Sequence, residues 1–290
     1  MQGPWGAPPS GLPGVLAYHK VGTAELGGTW CGAGQFSSHL DALQSAGYHT
    51  VGTAAFQAAL AALRSTGRST GDPPESSSGW SEIPASSSKQ RQVLLTFDDA
   101  FESFADRAWP ALEQRSMQAL LFVVTDFVGR PASWDLPLPG RRVRHLPWSA
   151  LRELVDAGVE IGSHSARHLD MRRLSSLQLV QELEHSRRTL EDRLGVGIRA
   201  FSWPFGRWNH PCCEAARQSG YQLGFAMSPQ GRNDQFNDMA IPRRGVYVTD
   251  SGAAVLDKLD AARAGFWFQD LFTRGVGTVA SLSARFQKDG

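Results

Sequence analysis

Three short segments concentrate the residue types that can do chemistry. The first is Thr96-Phe97-Asp98-Asp99, directly after the apolar run that begins at Val93. Two adjacent carboxylates at the end of a buried strand are costly unless positive charge lies beside them. A metal ion would meet that need, binding one carboxylate and leaving the other as a base. The alternative is a helix N-cap, with Asp98 or Asp99 capping a helix that starts near Ala100. The second segment is Gly162-Ser163-His164-Ser165-Ala166-Arg167-His168, again after a short apolar run, Val159 to Ile161. Histidines at i and i+4 face one side of a helical turn and can share a metal, although a chain with eight His also yields such pairs by chance. Together, one Asp and two neutral His make a facial triad with open positions for water and substrate. The third segment is Phe201-Ser202-Trp203-Pro204-Phe205-Gly206-Arg207-Trp208-Asn209. Pro and Gly set a tight loop there, whose backbone N–H groups are candidates for an oxyanion hole. Trp203, Phe205 and Trp208 either form a sugar-stacking surface or fill a hydrophobic corner.

The elements that must position these segments follow from hydrophobic periodicity. Val15 to Tyr18 reads as a first strand ending at His19. Phe36, Leu40 and Leu43 mark a helix closed by Gly47, and Phe56, Leu60 and Leu63 a second one. Strands are expected at Val93–Phe97, Ala119–Thr125, Val159–Ile161, Arg199–Trp203 and Gln222–Met227. Helices are expected at Ala100–Arg115, Trp148–Ala157, Ser175–Leu194, Pro211–Ser219 and Ser251–Ala264. The long helix is predicted to bury Leu177, Val180, Leu183 and Leu190. Repeated strand-then-helix units imply parallel strands with right-handed crossovers, hence an α/β sheet or barrel. Residues 65–90 hold nine Ser and are predicted to be a disordered surface insertion. The expected organisation is a single catalytic domain over residues 1–290, with that insertion and an unassigned tail from about 265.

Composition narrows the partners. With 29 Lys plus Arg against 28 Asp plus Glu, the net charge is +1, so the chain has no global basic field for nucleic acid. No stretch approaches the ~20 apolar residues of a membrane span. Cys31, Cys212 and Cys213 suggest no disulfide framework and no zinc ribbon. No signal peptide is recognisable at the start, which points to the cytoplasm as the sequence stands, or to an extracytoplasmic protein if a leader is missing. No protein partner is predicted.

The three segments, in this order and at these intervals, resemble the polysaccharide deacetylase family (carbohydrate esterase family 4). Ala17-Tyr18-His19-Lys20-Val21-Gly22, Gly47-Tyr48, Trp148 to Asp170 and Ile241-Pro242-Arg243-Arg244-Gly245-Val246 resemble the branch acting on poly-N-acetylglucosamine and related exopolysaccharides. The resemblance runs from about Leu12 to Val248. It implies a distorted (β/α) barrel and a divalent metal, zinc first, held by Asp99, His164 and His168. It further implies that Asp98 is the general base for metal-bound water, that the backbone N–H of Phe205 helps hold the oxyanion, and that the substrate is an acetylated amino-sugar glycan. Trp203, Trp208 and Arg243 join Phe205 as expected substrate contacts.

Three departures qualify the likeness. Position 100 is Ala where the family usually has Gly. Ser202 stands where the third motif often begins with the Arg that orients the base, so Arg243 or Arg244 is expected to take over that task. The last histidine is His210, so the late His that serves many members as general acid is missing. The resemblance implies that His19 replaces it, because in the exopolysaccharide branch an early Tyr-His stands where the late His would lie, and the first and last strands of a closed barrel are neighbours. His39, His49, His145, His185 and His210 are read as surface or structural. The implied activity is a metal-dependent hydrolase of linear amide C–N bonds that removes N-acetyl groups from a GlcNAc-containing polysaccharide or glycoconjugate. The alternatives are a deacetylase or deformylase of a lipid- or nucleotide-linked sugar, and an inactive carbohydrate-binding relative.

Overall fold

A computed structural model describes residues 12–25, 28–65, 91–133, 143–227 and 237–260. In chain order its elements are β1 (Gly14–Tyr18), β2 (Lys20–Val21), β3 (Trp30–Cys31), α1 (Ala33–Ser45), β4 (Tyr48–Thr50), α2 (Thr53–Ser65) and β5 (Arg91–Phe97). They continue with α3 (Trp109–Glu113), β6 (Leu120–Val123), α4 (Trp148–Asp156), β7 (Glu160–Ser163), α5 (Ser176–Leu194) and β8 (Ala200–Ser202). The last are α6 (His210–Gln218), β9 (Leu223–Ala226), β10 (Ile241–Pro242), β11 (Arg244–Gly245) and α7 (Gly252–Leu259). The insertion expected at 65–90 lies outside the described residues apart from Ser65, and so does the tail from about 265.

The main sheet runs β10-β9-β8-β7-β6-β5-β1-β11, with β4 also on β5, and every pairing in it is parallel. Its two ends are consecutive in the chain. Ile241 pairs with Phe225 on β9, and Arg244 pairs with Leu16 on β1. The sheet is thus a nearly closed barrel, and Arg243 sits at its seam. This is the (β/α) barrel expected from the alternation of strands and helices.

Strand periodicity sorts the side chains into two layers. Leu16, Tyr18, Val93, Leu95, Phe97, Leu121 and Val123 join the larger core beneath the surrounding helices. Val15, Leu94, Leu120, Phe122, Ala200, Leu223, Phe225 and Ile241 form a second cluster with Phe56 and Leu60 of α2. The second parity, continued two residues at a time, reaches His19, Thr96, Asp98, His164, Ser202 and Arg243. The polar residues at one mouth are therefore the continuation of an apolar inner face. Gly162 is needed on that face, because a Cβ there would stand 2.5 Å from the Phe122 ring.

Two expectations need correction. The helix predicted from Ala100 turns first through Asp99 and Ala100 in the left-handed region, then widens to a π-turn over Phe104–Ala108 before α3. Pro110 explains the widening, since it carries no N–H for a regular i to i−4 bond. In α5 the buried apolar side chains are Leu179, Leu183 and Leu190, whereas Leu177 is 68% exposed. The limits of α5 fit well: Ser175 and Gln178 form a capping box, and Gly195 ends the helix with φ 72°. The three cysteines are free and buried. Among the described residues no helix is long and apolar enough to cross a membrane.

Candidate active site

Asp99 follows β5, and His164 and His168 follow β7. The structure brings one ligating atom from each within 4.8 Å of the others, all three side chains being buried. Nε2 of His164 and Nε2 of His168 each lie 3.7 Å from Asp99 Oδ1. These separations are too long for hydrogen bonds and leave room for a cation between the donors. Burial lowers the pKa of both histidines, that of His168 well below its ordinary value, so each presents a neutral imidazole. The Nδ1 of His164 lies 2.8 Å from the Ser202 carbonyl, which can only accept. Nδ1 therefore carries the proton, and the Nε2 lone pair faces the cluster. A buried carboxylate and two neutral imidazoles suit a divalent transition metal.

The turn between the histidines is not helical. Ser165 and His168 have φ of 69° and 57°, and the loop is held by its own hydroxyls. Ser163 Oγ accepts from the Ser165 N–H, and Ser165 Oγ from the His168 N–H. From α5, the buried Glu182 accepts from both the backbone N–H and the guanidinium of Arg167. The i, i+4 spacing thus brings the rings together through a serine-stitched loop rather than a helix face.

Asp98 has a different environment. Arg243 donates to both its oxygens at 2.7 Å, and also to Thr96 Oγ1 at 3.1 Å and Ser202 Oγ at 2.8 Å. Burial alone would raise the Asp98 pKa. The Arg243 charge and hydrogen bonds, with His164, outweigh it and hold the carboxyl well below the usual range. Ser202 leaves space where the motif often carries Arg, and the guanidinium arrives from the barrel seam instead. Arg243 is 3% exposed and engaged on the Asp98 carboxylate, so the expectation of a substrate contact there is corrected: its place is behind Asp98. The Asp98 N–H bonds the Tyr18 carbonyl at 2.9 Å, which sets His19 beside it. His19 Nε2 stands 3.9 Å from Asp98 Oδ2, and the His19 side chain is 22% exposed. Burial lowers its pKa to about 4, only partly opposed by Asp98.

The third segment divides. Trp203 is completely buried in the main core, with its indole N–H on the Met239 carbonyl at 2.6 Å. It offers no ring face to a sugar and fills the hydrophobic corner, where truncation to Ala would cost about 3–5 kcal/mol. Phe205 is half-buried with φ 57°, and its ring meets that of His168 edge-on at 4.7 Å. Gly206 is required next to it, since a Cβ would lie 2.2 Å from Met227. Trp208 is half-buried against the main core and keeps some exposed surface. Two supports went unread in the sequence, the Ser202 carbonyl and Glu182. The second had a signal, a carboxylate beside Leu183 on the buried stripe of α5.

A family model described as polysaccharide deacetylase matches residues 85–224, which take in Asp98, Asp99, both histidines and the turn at Phe205 but neither His19 nor Arg243. A Bacillus subtilis protein, YxkH, that bears the name polysaccharide deacetylase is 27% identical over 199 residues, 69% of this chain and 66% of its own length. The poly-β-1,6-N-acetyl-D-glucosamine N-deacetylase of Staphylococcus aureus is 23% identical over 53% of this chain and 54% of its own. The chain thus spans about half to two thirds of the length of these relatives. In fold it is similar to the Streptococcus pyogenes deacetylase PplD, with TM-score 0.65 and 20% identity over 87% of this chain and all of the other. It is also similar to IcaB of Ammonifex degensii, with TM-score 0.62 and 21% identity over 87% of this chain and 99% of the other. Residues 85–224 thus match the polysaccharide deacetylase family model, and the chain around them is similar in sequence and fold to proteins that bear the deacetylase name.

Proposed function

We propose that the chain is a metal-dependent hydrolase that removes N-acetyl groups from a GlcNAc-containing polysaccharide. The observation that supports this reading best is the pairing of two sites 3.9 Å apart: the Asp99, His164 and His168 cluster, and an Asp98 carboxylate kept ionised by Arg243. Zinc held by Asp99, His164 and His168 would polarise the amide carbonyl and bring the ionisation of water close to neutral pH.

The chain's own residues would do the rest. Asp98 accepts the proton of the attacking water. His19, neutral at rest, cannot enter as a donor; it becomes one by taking that proton from Asp98 and delivering it to the departing amine. The backbone N–H of Phe205 donates to the developing oxyanion, and Trp208 offers an apolar surface to the sugar. Amide and water give acetate and a free amino group, so the proton that Asp98 takes is the one the amine receives. The poly-N-acetylglucosamine specificity of the Staphylococcus relative motivates the choice of glycan.

The test is acetate release from chitooligosaccharides, poly-N-acetylglucosamine, peptidoglycan, acetylxylan and nucleotide sugars, each with chelator and after zinc add-back. Release from an N-acetylated glycan, lost with chelator and regained with zinc, is expected. No release from any substrate, with Asp98→Asn indistinguishable from the parent, would sink the enzyme reading and leave a binding module.

A further inference from the structure

Among the described residues His145 is one of two buried histidines, with His39, that the proposed chemistry does not use. It is 1% exposed and lies between two rings, with the Phe101 centroid at 4.8 Å and the Phe127 centroid at 5.7 Å. An apolar side chain would fill such a place without desolvating a polar ring. The polar edge has a specific use: Nδ1 is 2.6 Å from the backbone carbonyl of Asp99. A carbonyl only accepts, so the imidazole donates.

That carbonyl belongs to an uncommon backbone. Asp99 and Ala100 have φ of 70° and 48°, two consecutive left-handed residues that both carry a Cβ. Such a conformation persists only where the surroundings over-determine it. Here the segment 144–146 lies antiparallel to 99–102 and supplies the restraint. His145 Nδ1 takes the Asp99 carbonyl, the Leu146 N–H takes the Ala100 carbonyl at 2.8 Å, and the Arg144 carbonyl accepts from the Glu102 N–H at 2.9 Å. The strap is itself anchored, since the His145 N–H bonds the Arg130 carbonyl at 2.9 Å. Of the two links to the left-handed carbonyls, the His145 ring is the one made by a side chain. Relaxation of Asp99 toward the right-handed region would swing its Cα–Cβ bond, and the carboxylate with it, away from His164 and His168.

We infer that His145 is a positioning residue for Asp99: its ring donor fixes the left-handed backbone that aims the carboxylate at the two histidines. This rests on the reading of Asp99, His164 and His168 as a zinc site, and it predicts that cation affinity depends on a side chain that never touches the cation.

The experiment measures zinc affinity of the full metal-stripped chain by competition with a chromophoric chelator, beside thermal melting of the metal-free protein. His145→Leu removes the donor and keeps an apolar filler; it should weaken zinc binding about 10–100-fold. His145→Asn returns a donor nitrogen at the place of Nδ1 and should recover most of that loss, which a role in packing alone would not produce. Should His145→Leu fail to fold, His145→Gln, whose nitrogen sits one bond further out, takes its place with the same expected loss. A folded Leu or Gln variant that binds zinc as tightly as the parent overturns the inference, and so does an Asn variant as weak as Leu. A parent that binds no zinc overturns the zinc-site reading and the inference with it, so the two failures are distinguishable.

Discussion

Asp98 and Asp99 are neighbours in the chain, equally buried, and treated in opposite ways. Asp98 is saturated: a guanidinium meets both oxygens, and its side chain continues the inner face of a regular strand. Asp99 lies one residue past the strand, on a left-handed backbone, with two neutral imidazoles 3.7 Å from one oxygen. A carboxylate paired with Arg cannot serve a cation well, because the positive charge is already supplied. A carboxylate that faces two neutral imidazoles where its neighbour faces a guanidinium is the better suited to a cation. Under the proposed mechanism the difference would separate two roles that side-chain chemistry alone leaves interchangeable, with one carboxylate to take protons and one to bind metal.

The largest effect should come from breaking the Asp99 side. Asp99→Ala is expected to abolish stoichiometric zinc binding and to cut acetate release about 1000-fold, the scale of several kcal/mol of lost Lewis-acid stabilisation. Asp98→Asn should cut turnover about 100-fold or more while zinc content, measured by elemental analysis, stays at the parent value. If the two variants lose zinc to the same extent, the division between the carboxylates is wrong.

How far this division was legible depends on the residue. Adjacent carboxylates after an apolar run, and a histidine pair after another, named the partners because parallel strands carry both to one mouth. The hand of the backbone was not legible: nothing in Asp99-Ala100 or in His164 to His168 announces left-handed turns, which come from straps and hydroxyls supplied elsewhere in the chain. Arg243 was half legible. Loss of the motif's Arg at Ser202 required another cation, but only the closure of the barrel decided that residue 243, and not 244, faces inward. Trp203 misled because a Trp beside Pro and Gly reads equally as surface or corner, and burial is settled by β9 and by Met239, far along the chain. Leu177 misled for a related reason. A helix stripe can be drawn through several leucines, and the packing against α6 and β7 selects Leu179 and Leu183.

An intermediate effect should come from the pairing itself. Arg243→Met leaves Asp98 buried and alone, and breaking such a pair costs about 3–5 kcal/mol. The sign is fixed by the depressed carboxyl. Its stabilising contribution is complete above the unfolded value near 3.8 and is lost as pH falls through the lower folded value. Denaturant melts of the variant should therefore show the deficit at neutral pH, shrinking toward strongly acidic pH. With burial less opposed, the Asp98 pKa should rise, and the rate profile should gain an acidic limb that the parent lacks above pH 4. Arg243→Lys, which keeps the charge and loses the fork, should fall between. An unchanged profile in Arg243→Met would show that Asp98 is not the group whose ionisation the rate requires.

The smallest effect belongs to His19, which stands beside Asp98 without contacting it closely. Its pKa is lowered from 6.5 to about 4, chiefly by burial. For a base whose folded value is depressed, the unfolded chain binds the extra proton, so the contribution to stability is complete above pH 6.5 and is lost as pH falls toward 4. His19→Gln removes the titrating group and keeps most of the volume. In the metal-stripped protein it should flatten the fall in stability across that window by up to ~3 kcal/mol, and leave melts above pH 7 nearly unchanged. Because His145, His164 and His168 titrate under the same burial, the difference between parent and variant, not the parent curve, carries the result. Identical curves for the two would mean that solvent reaches His19 well enough to keep its ordinary pKa. It could then hold a proton of its own near neutral pH and would not need Asp98 to supply one.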